Sequence, residues 1–190
     1  MIKLSEIKSK IKLAESLGAC KDHIDLIQSL QSVEEIINHP HAPYWIYWIT
    51  KETNERWPEA EDIILISEYF SLLYTLDVIK ERWEKAEKIL TNNLYLYVYA
   101  RDVIKERWEK AEKILFLTSP EYTFKYIRDI VKGPLEEAEG IILKDSFYSF
   151  EYAHDTIKGK WKKGEPTIFL DIGIKKQYNA FLRKLKKKLN

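Results

Sequence analysis

The sequence predicts an all-α protein in which tandem helix-pair repeats form a short α-solenoid. Two observations predict this fold. The segment DVIKERWEKAEKIL occurs twice, at 77–90 and at 102–115. Several of its positions also recur five times along the chain, at intervals of 25 to 27 residues. A period of this length is typical of proteins in which each repeat is one supersecondary unit that packs on its neighbours.

The recurring positions combine aromatic, small and acidic side chains at fixed spacing. The reference series, which numbers the copies 1 to 5, is Trp57, Trp83, Trp108, Leu135 and Trp161. Small residues follow it by three positions: Ala60, Ala86, Ala111, Ala138 and Gly164. Glutamates follow it by four: Glu61, Glu87, Glu112, Glu139 and Glu165. Aromatic residues precede it by nine: Trp48, Tyr74, Tyr99, Tyr126 and Tyr152. Others precede it by thirteen: Tyr44, Phe70, Tyr95, Tyr122 and Tyr148.

Each copy is predicted to contain a longer first helix and a short second helix. The aromatic residues of the first helix lie four apart and therefore share one helical face. Ser119 before Pro120, Thr91 or Asn92, and Asp145 are expected to begin first helices as N-caps. Between the two helices, Gly133 and Gly159 are expected to hold the left-handed backbone that ends a helix, whereas copies 2 and 3 have Glu there.

The repeats are predicted to occupy residues 44–171 of one continuous structural domain. Residues 1–43 are expected to form an atypical N-terminal helical cap. Residues 172–190 are expected to form a basic amphipathic C-terminal helix, which carries seven Lys or Arg and no acidic residue. Because Cys20 is the only cysteine, an intramolecular disulfide framework is excluded. No apolar run is long enough to span a bilayer, so a cytoplasmic protein is expected.

The repeat resembles one in an uncharacterised family of tailed-bacteriophage proteins. The residues that carry the resemblance are Arg56-Trp57-Pro58-Glu59-Ala60-Glu61 and the stretch from Tyr99-Ala100 through Val103-Ile104-Lys105 to Trp108 and Glu112. The match covers roughly residues 44–170 and departs from the family at Glu81, Glu106 and Leu135. The resemblance implies a phage origin and the cytoplasm of a host cell. By analogy, it implies inhibition of a host defence or replication protein by occlusion of its surface.

The repeating side chains are interpreted as architecture rather than as a site. A Glu present in every copy is expected to form a hydrogen bond or ion pair with the repeating Asp (Asp77, Asp102, Asp129, Asp155) or Lys (Lys80, Lys105, Lys132, Lys158), because buried charge needs a partner. The Trp positions are expected to lie in the core. Function is therefore expected in the side chains that the copies do not share.

Two sets of residues are candidates for contacts with a partner. The aromatic set is Tyr97, Phe147 and Phe150, which lie outside the repeating core positions, so that some of them are candidates for exposed anchors. The basic set is Arg183, Lys184, Lys186, Lys187 and Lys188, which could contact nucleic acid or remain a solvated face. A protein-interaction module is therefore the favoured function. A nucleic-acid-associated protein and a virion or assembly component are the alternatives.

Catalytic and metal-binding signatures are weak throughout the chain. Cys20, His23, His39 and His41 match no zinc-ligand spacing. A Cys–His pair among them lacks a recognisable third group and oxyanion loop, and the sequence contains no glycine-rich phosphate loop. We therefore expect neither an enzyme nor a bound cofactor or metal. The oligomeric state does not follow from the sequence.

Overall fold

The computed structural model describes residues 3–16, 18 and 21–189, and within that part the secondary structure is helical without any strand. The prediction of an all-α protein is therefore confirmed. The described helices belong to two compact units, Met1–Leu90 and Thr91–Asn190. The division predicted from the sequence, at residues 43 and 171, stays a prediction.

The first unit contains the N-terminal helices and copies 1 and 2. Its elements are α1 (Leu4–Ser16), α2 (Lys21–Ser29), α3 (Val33–Ile37), α4 (Ala42–Thr53), a 3-10 turn (Pro58–Ala60), α5 (Glu61–Ile64), α6 (Glu68–Tyr74), π1 (Thr75–Ile79) and α7 (Glu84–Ile89). Buried isoleucines of α1, α2 and α3 join the core around Trp45 and Trp57.

The second unit contains copies 3 to 5 and the C-terminal helix. Its elements are α8 (Asn93–Tyr99), π2 (Ala100–Ile104), α9 (Glu109–Thr118), α10 (Pro120–Tyr126), π3 (Ile127–Val131), α11 (Glu136–Ile142), α12 (Ser146–Glu151), π4 (Tyr152–Ile157), α13 (Glu165–Ile168) and α14 (Ile172–Leu189). The first helices α8, α10 and α12 pack in series, and α14 packs on α12.

The predicted helix starts are confirmed at several turns. Ser119 accepts a hydrogen bond from the backbone of Tyr122 and has Pro120 at the first helical position. Asn92 and Asp145 cap α8 and α12 in the same way. Ser67 caps α6. These side chains satisfy backbone donors that a helix start leaves without an intrahelical partner.

In copies 2 to 5 the first helix ends in a π-turn, and in all five copies a left-handed residue follows the first helix. In copies 2 to 4 this residue donates its N–H to the carbonyl five positions earlier, as from Lys105 to Ala100 at 2.8 Å. The left-handed residues are Asn54, Lys80, Lys105, Lys132 and Lys158, with φ between 51° and 61°. The prediction that Gly133 and Gly159 hold this conformation is wrong, because the chain already reverses one residue earlier, at Lys132 and Lys158.

Because Lys105 has a left-handed backbone and Lys113 a helical one, Lys→Gly substitutions at these two sites should have opposite effects on stability. Lys105 is exposed, and an L residue pays roughly 1–2 kcal/mol for this conformation. We expect Lys105→Gly to stabilise the protein by about 0.5–1 kcal/mol, because glycine adopts positive φ without that cost. Lys113→Gly, inside α9, should destabilise it by about 1 kcal/mol. Urea unfolding of both variants checks this; equal destabilisation by both would contradict it.

The same positions are buried in the different copies. Three positions of each copy lie in the core: the residue eight before the reference position, the residue three after it and the residue seven after it. In copy 3 these are Ala100, Ala111 and Leu115, all fully buried. Trp57, Trp83, Trp108 and Trp161 are buried as well, which confirms their predicted place in the core. Leu135, which replaces Trp in copy 4, is only partly buried.

Candidate interaction surface

In copies 2, 4 and 5, a tyrosine of the first helix contacts the preceding copy at the start of its second helix. The hydroxyl of Tyr126 accepts a hydrogen bond from the backbone N–H of Trp108 at 2.6 Å and donates one to Glu112 at 2.9 Å. Tyr152 forms the same pair of bonds with Leu135 and Glu139. We call this arrangement the tyrosine contact. Burial raises the pKa of Tyr152 to about 12, so this hydroxyl stays a donor at neutral pH.

The C-terminal helix provides one further tyrosine contact. Tyr178 of α14 is fully buried, accepts from the N–H of Trp161 at 2.9 Å and donates to Glu165. Tyr178 lies 26 residues after Tyr152, so the tyrosine series continues into α14. Sequence analysis missed this sixth member, although its spacing was visible. In unit 1, Tyr74 accepts from the N–H of Trp57 in the same geometry.

The repeating glutamates are paired, but not with the predicted partners. Arg56, Arg82 and Arg107 donate to the glutamate five positions later, as in the 2.7 Å bond from Arg107 to Glu112. Lys163 pairs with Glu139 at 2.6 Å. The repeating Lys and Asp are not the partners, because both lie at the π-turn end of the first helix. Asp77 instead accepts from Tyr47, and Asp129 from Tyr97.

The pairing of Glu112 gives a prediction on pH dependence. The Arg107 guanidinium lowers the pKa of the Glu112 carboxyl, with a smaller contribution from Tyr126. A pKa lowered by folding stabilises the protein above the unfolded-state pKa, and that contribution is lost as pH falls through the folded-state pKa. We expect Glu112→Gln to destabilise the protein by about 1 kcal/mol at pH 7, because Arg107 is half exposed. The difference should shrink below about pH 4.

The exposed Glu109 of the same helix provides the control for this experiment. It pairs with the exposed Lys113, so Glu109→Gln should change little at any pH. Thermal unfolding from pH 3 to pH 7 compares the two variants. A Glu112→Gln difference that is independent of pH would contradict the prediction.

The expectation of exposed aromatic anchors holds for one of the three candidates. Phe147 is 46% exposed, whereas Tyr97 and Phe150 are buried, so the prediction that these two lie outside the repeating core positions is wrong. They lie eleven positions before the reference residue, and this position is buried in every copy. Its five members are Ile46, Leu72, Tyr97, Phe124 and Phe150. This position is aliphatic in copies 1 and 2 and aromatic in copies 3 to 5. The change of residue type hid the fact that the position is apolar in all five copies.

Other exposed apolar side chains lie at the same kind of turn as Phe147. The ring eleven before the reference position in one copy contacts the ring thirteen before it in the next copy, as in Tyr97 with Tyr122 and Phe124 with Tyr148. Because these contacts repeat in the same register, α8, α10 and α12 begin at one end of unit 2. The second helices lead into these starts. We call the exposed apolar residues at this end the apolar edge: Leu94, Leu117, Phe147 and Leu170.

A shallow groove of about 330 Å³ adjoins the apolar edge between α9 and α11. Phe116 and Leu117 supply its apolar lining, and Glu109 and Glu137 lie at its rim. Arg107 bonds both Glu112 and Glu137, so the carboxylates here are largely neutralised within the unit. The groove therefore offers apolar area more than charge.

The basic candidates lie on the solvent side of α14. Arg183, Lys184, Lys186 and Lys187 are exposed, while Tyr178, Phe181 and Leu182 face the core of unit 2. The Lys188 side chain lies outside the described part of the structure. Within the described residues, no helix has the length and apolar content needed to cross a bilayer.

His39 and His41 lie beside the aromatic ring of Trp45. His39 stacks on the buried Trp45 with ring centroids 4.2 Å apart, and His41 lies beside it. Cys20 and the His23 side chain fall outside the described residues. In the part that is described, no three His, Cys, Asp or Glu side chains are grouped closely enough to hold a metal ion.

Comparison of the chain with protein-family models, curated proteins and solved structures gave no match. The phage-family resemblance therefore stays a prediction that rests on the repeat motif.

Proposed function

We propose that this chain is a non-catalytic protein-interaction module built as a short α-solenoid of helix pairs. The observation that supports this is a difference between two sets of side chains: those that all copies share and those that differ between copies. Residues at shared positions, such as Tyr126, Glu112 and Trp108, form contacts between copies. Apolar residues at positions that are apolar in only some copies, such as Leu117 and Phe147, are exposed at the turns. Exposed apolar side chains that cluster on one surface commonly mark protein-binding sites.

The proposed mechanism is occlusion of a partner surface by the apolar edge. The resemblance to phage repeat proteins favours a host defence or replication protein as the partner, bound in the cytoplasm of the host cell. Phe147 would act as an aromatic anchor, since such side chains contribute much of the binding energy of protein interfaces. The adjoining groove could receive an apolar side chain of the partner.

Copy 4 provides a matched control for testing this surface. Lys144 occupies in copy 4 the position that Leu117 occupies in copy 3, nine residues after the reference position. We expect tagged wild-type protein and Lys144→Asp to retain a stoichiometric partner from infected-host extract. Leu117→Asp combined with Phe147→Asp should reduce that affinity by about thirtyfold or more, since hot-spot residues contribute 2 kcal/mol or more. Absence of a stoichiometric partner, or retention by the double variant, would count against the proposal.

The second candidate function is nucleic-acid association through α14. The supporting observation is six exposed basic side chains on a helix without an acidic residue: the four candidates with described side chains, together with Lys175 and Lys176. Replacing Arg183, Lys184, Lys186 and Lys187 by Gln leaves the core-facing side of α14 intact. If these residues contact phosphates, the variant should bind DNA or RNA more weakly and with a flatter salt dependence than wild type. Unchanged binding would exclude these four residues as the site.

A further inference from the structure

A cleft of about 550 Å³ lies between copies 4 and 5 in unit 2. Its walls come from π3 with the turn after it and from π4 with the residue that ends it. The basic residues of the lining are Arg128, Lys132, His154 and Lys158, and Asp155 is its only carboxylate. Clefts of about 300–1,000 Å³ are of the size that holds small-molecule ligands.

Several residues that line this cleft depart from the other copies. Gly133-Pro134 replaces the Glu106-Arg107 pair of copy 3, which removes a carboxylate and a long side chain from the wall. His154 stands where copies 3 and 4 have Arg. Such departures on one surface are unexpected for a scaffold position and are typical of a site.

Thr156 is the most informative of these departures. The equivalent residues of copies 2 to 4 are Val78, Val103 and Ile130. Its Oγ1 is buried and has no hydrogen-bond partner. A buried hydroxyl without a partner costs stability relative to valine, so its presence requires an explanation. Thr156 lines the cleft, and rotation about χ1 would turn its hydroxyl toward a ligand there, which would provide one.

The charges around the cleft favour an anion. Lys132 and Lys158 are exposed and form no ion pair with any residue in the described part of the chain. Arg128 is held in place by two hydrogen bonds to Asp129, and His154 contacts Asp155 at 2.5 Å. An Arg held in this way and two free ammonium groups suit the several acceptor oxygens of a phosphoryl group.

We propose that this cleft binds a small organic phosphate. Arg128, Lys132 and Lys158 neutralise its phosphoryl group, and the Thr156 hydroxyl forms a hydrogen bond with the ligand after rotation about χ1 turns it into the cleft. The volume accommodates a molecule of nucleotide size. This site is separate from the apolar edge and does not depend on the proposed interaction with a protein.

Isothermal titration calorimetry with adenosine 5′-monophosphate tests the site. Wild-type protein should bind this probe, inorganic phosphate should compete with it, and adenosine should not bind. Gly133→Glu restores the residue of copy 3, and a Cβ at this position meets no atom within 4 Å. This variant should fold normally and bind at least about tenfold more weakly, because it adds a carboxylate to the wall.

Two further substitutions in the cleft, with one control outside it, distinguish a loss of ligand contacts from a loss of stability. Thr156→Val, which installs the residue of copies 2 and 3, should weaken binding without loss of stability. Lys158→Asn keeps a residue type that tolerates the left-handed backbone, as Asn54 does in copy 1, and should weaken binding about tenfold. Lys105→Asn, at the same position in copy 3 but outside the cleft, should bind as wild type does. Absence of binding to wild type, or equal effects of the two Lys→Asn variants, would overturn the proposal.

Discussion

Tyr126→Ala is expected to lower the free energy of unfolding by about 3–5 kcal/mol, the range found when a large buried aromatic side chain is truncated. Tyr126 is fully buried, and its ring contacts Phe116 of the preceding copy. The variant also leaves the buried N–H of Trp108 and the Glu112 carboxylate without the tyrosine hydroxyl. Urea unfolding followed by circular dichroism measures the loss.

Tyr126→Phe isolates the hydroxyl from the ring. Removal of the hydroxyl leaves a buried backbone donor unsatisfied, which costs about 1–3 kcal/mol. Tyr122→Phe on the same helix is the control, because Tyr122 is only partly buried and its aromatic ring makes the contacts. The control should change stability by less than about 0.5 kcal/mol. Equal effects of the two Tyr→Phe variants would show that the tyrosine contact adds no stability.

Gly164→Ala is expected to destabilise the protein by about 1–3 kcal/mol, although the other four copies have Ala at this position. A Cβ on Gly164 would lie 2.0 Å from Cε3 of Trp161. That ring is buried and packs on Tyr152 at 4.9 Å, so it has little room to move. Tryptophan fluorescence and urea unfolding would detect both the displaced ring and the lost stability.

Gly140→Ala provides the matching glycine substitution. Gly140 lies within α11, is exposed, and has no atom within 4 Å of a built Cβ. Alanine should stabilise this helix by about 0.5–1 kcal/mol. Opposite signs for the two Gly→Ala variants are therefore expected. Stabilisation by Gly164→Ala would mean that the copies are more alike around Trp161 than the structure shows.

Much of the helical content followed from local patterns in the sequence. Ser119, Asn92 and Asp145 were predictable as N-caps because capping depends on a few neighbouring residues. Burial of the tryptophans was predictable because the same residue type recurs at one position. The need of the glutamates for partners also followed from the cost of removing a charge from water.

The features that escaped prediction depend on contacts across copies or on unusual backbone. Lys80 and Lys105 give no composition signal for left-handed φ, because lysine is not a residue that favours it. Tyr97 was misplaced because the aromatic residue conceals a position that is aliphatic in copies 1 and 2. The cleft at Thr156 arises only when π3 and π4 are side by side. Its clue was a polar residue at a position that is Val or Ile in copies 2 to 4.

The tyrosine contact also bears on how the chain is made. Tyr126, Tyr152 and Tyr178 each lie 17 or 18 residues after the backbone N–H that they accept from. A ribosome adds about 5–20 residues per second. The tyrosine that accepts from a copy's backbone N–H is therefore synthesised about a second or more after that N–H. Synthesis from the N-terminus would complete the copies one after another. The Trp161 copy is completed last, by α14.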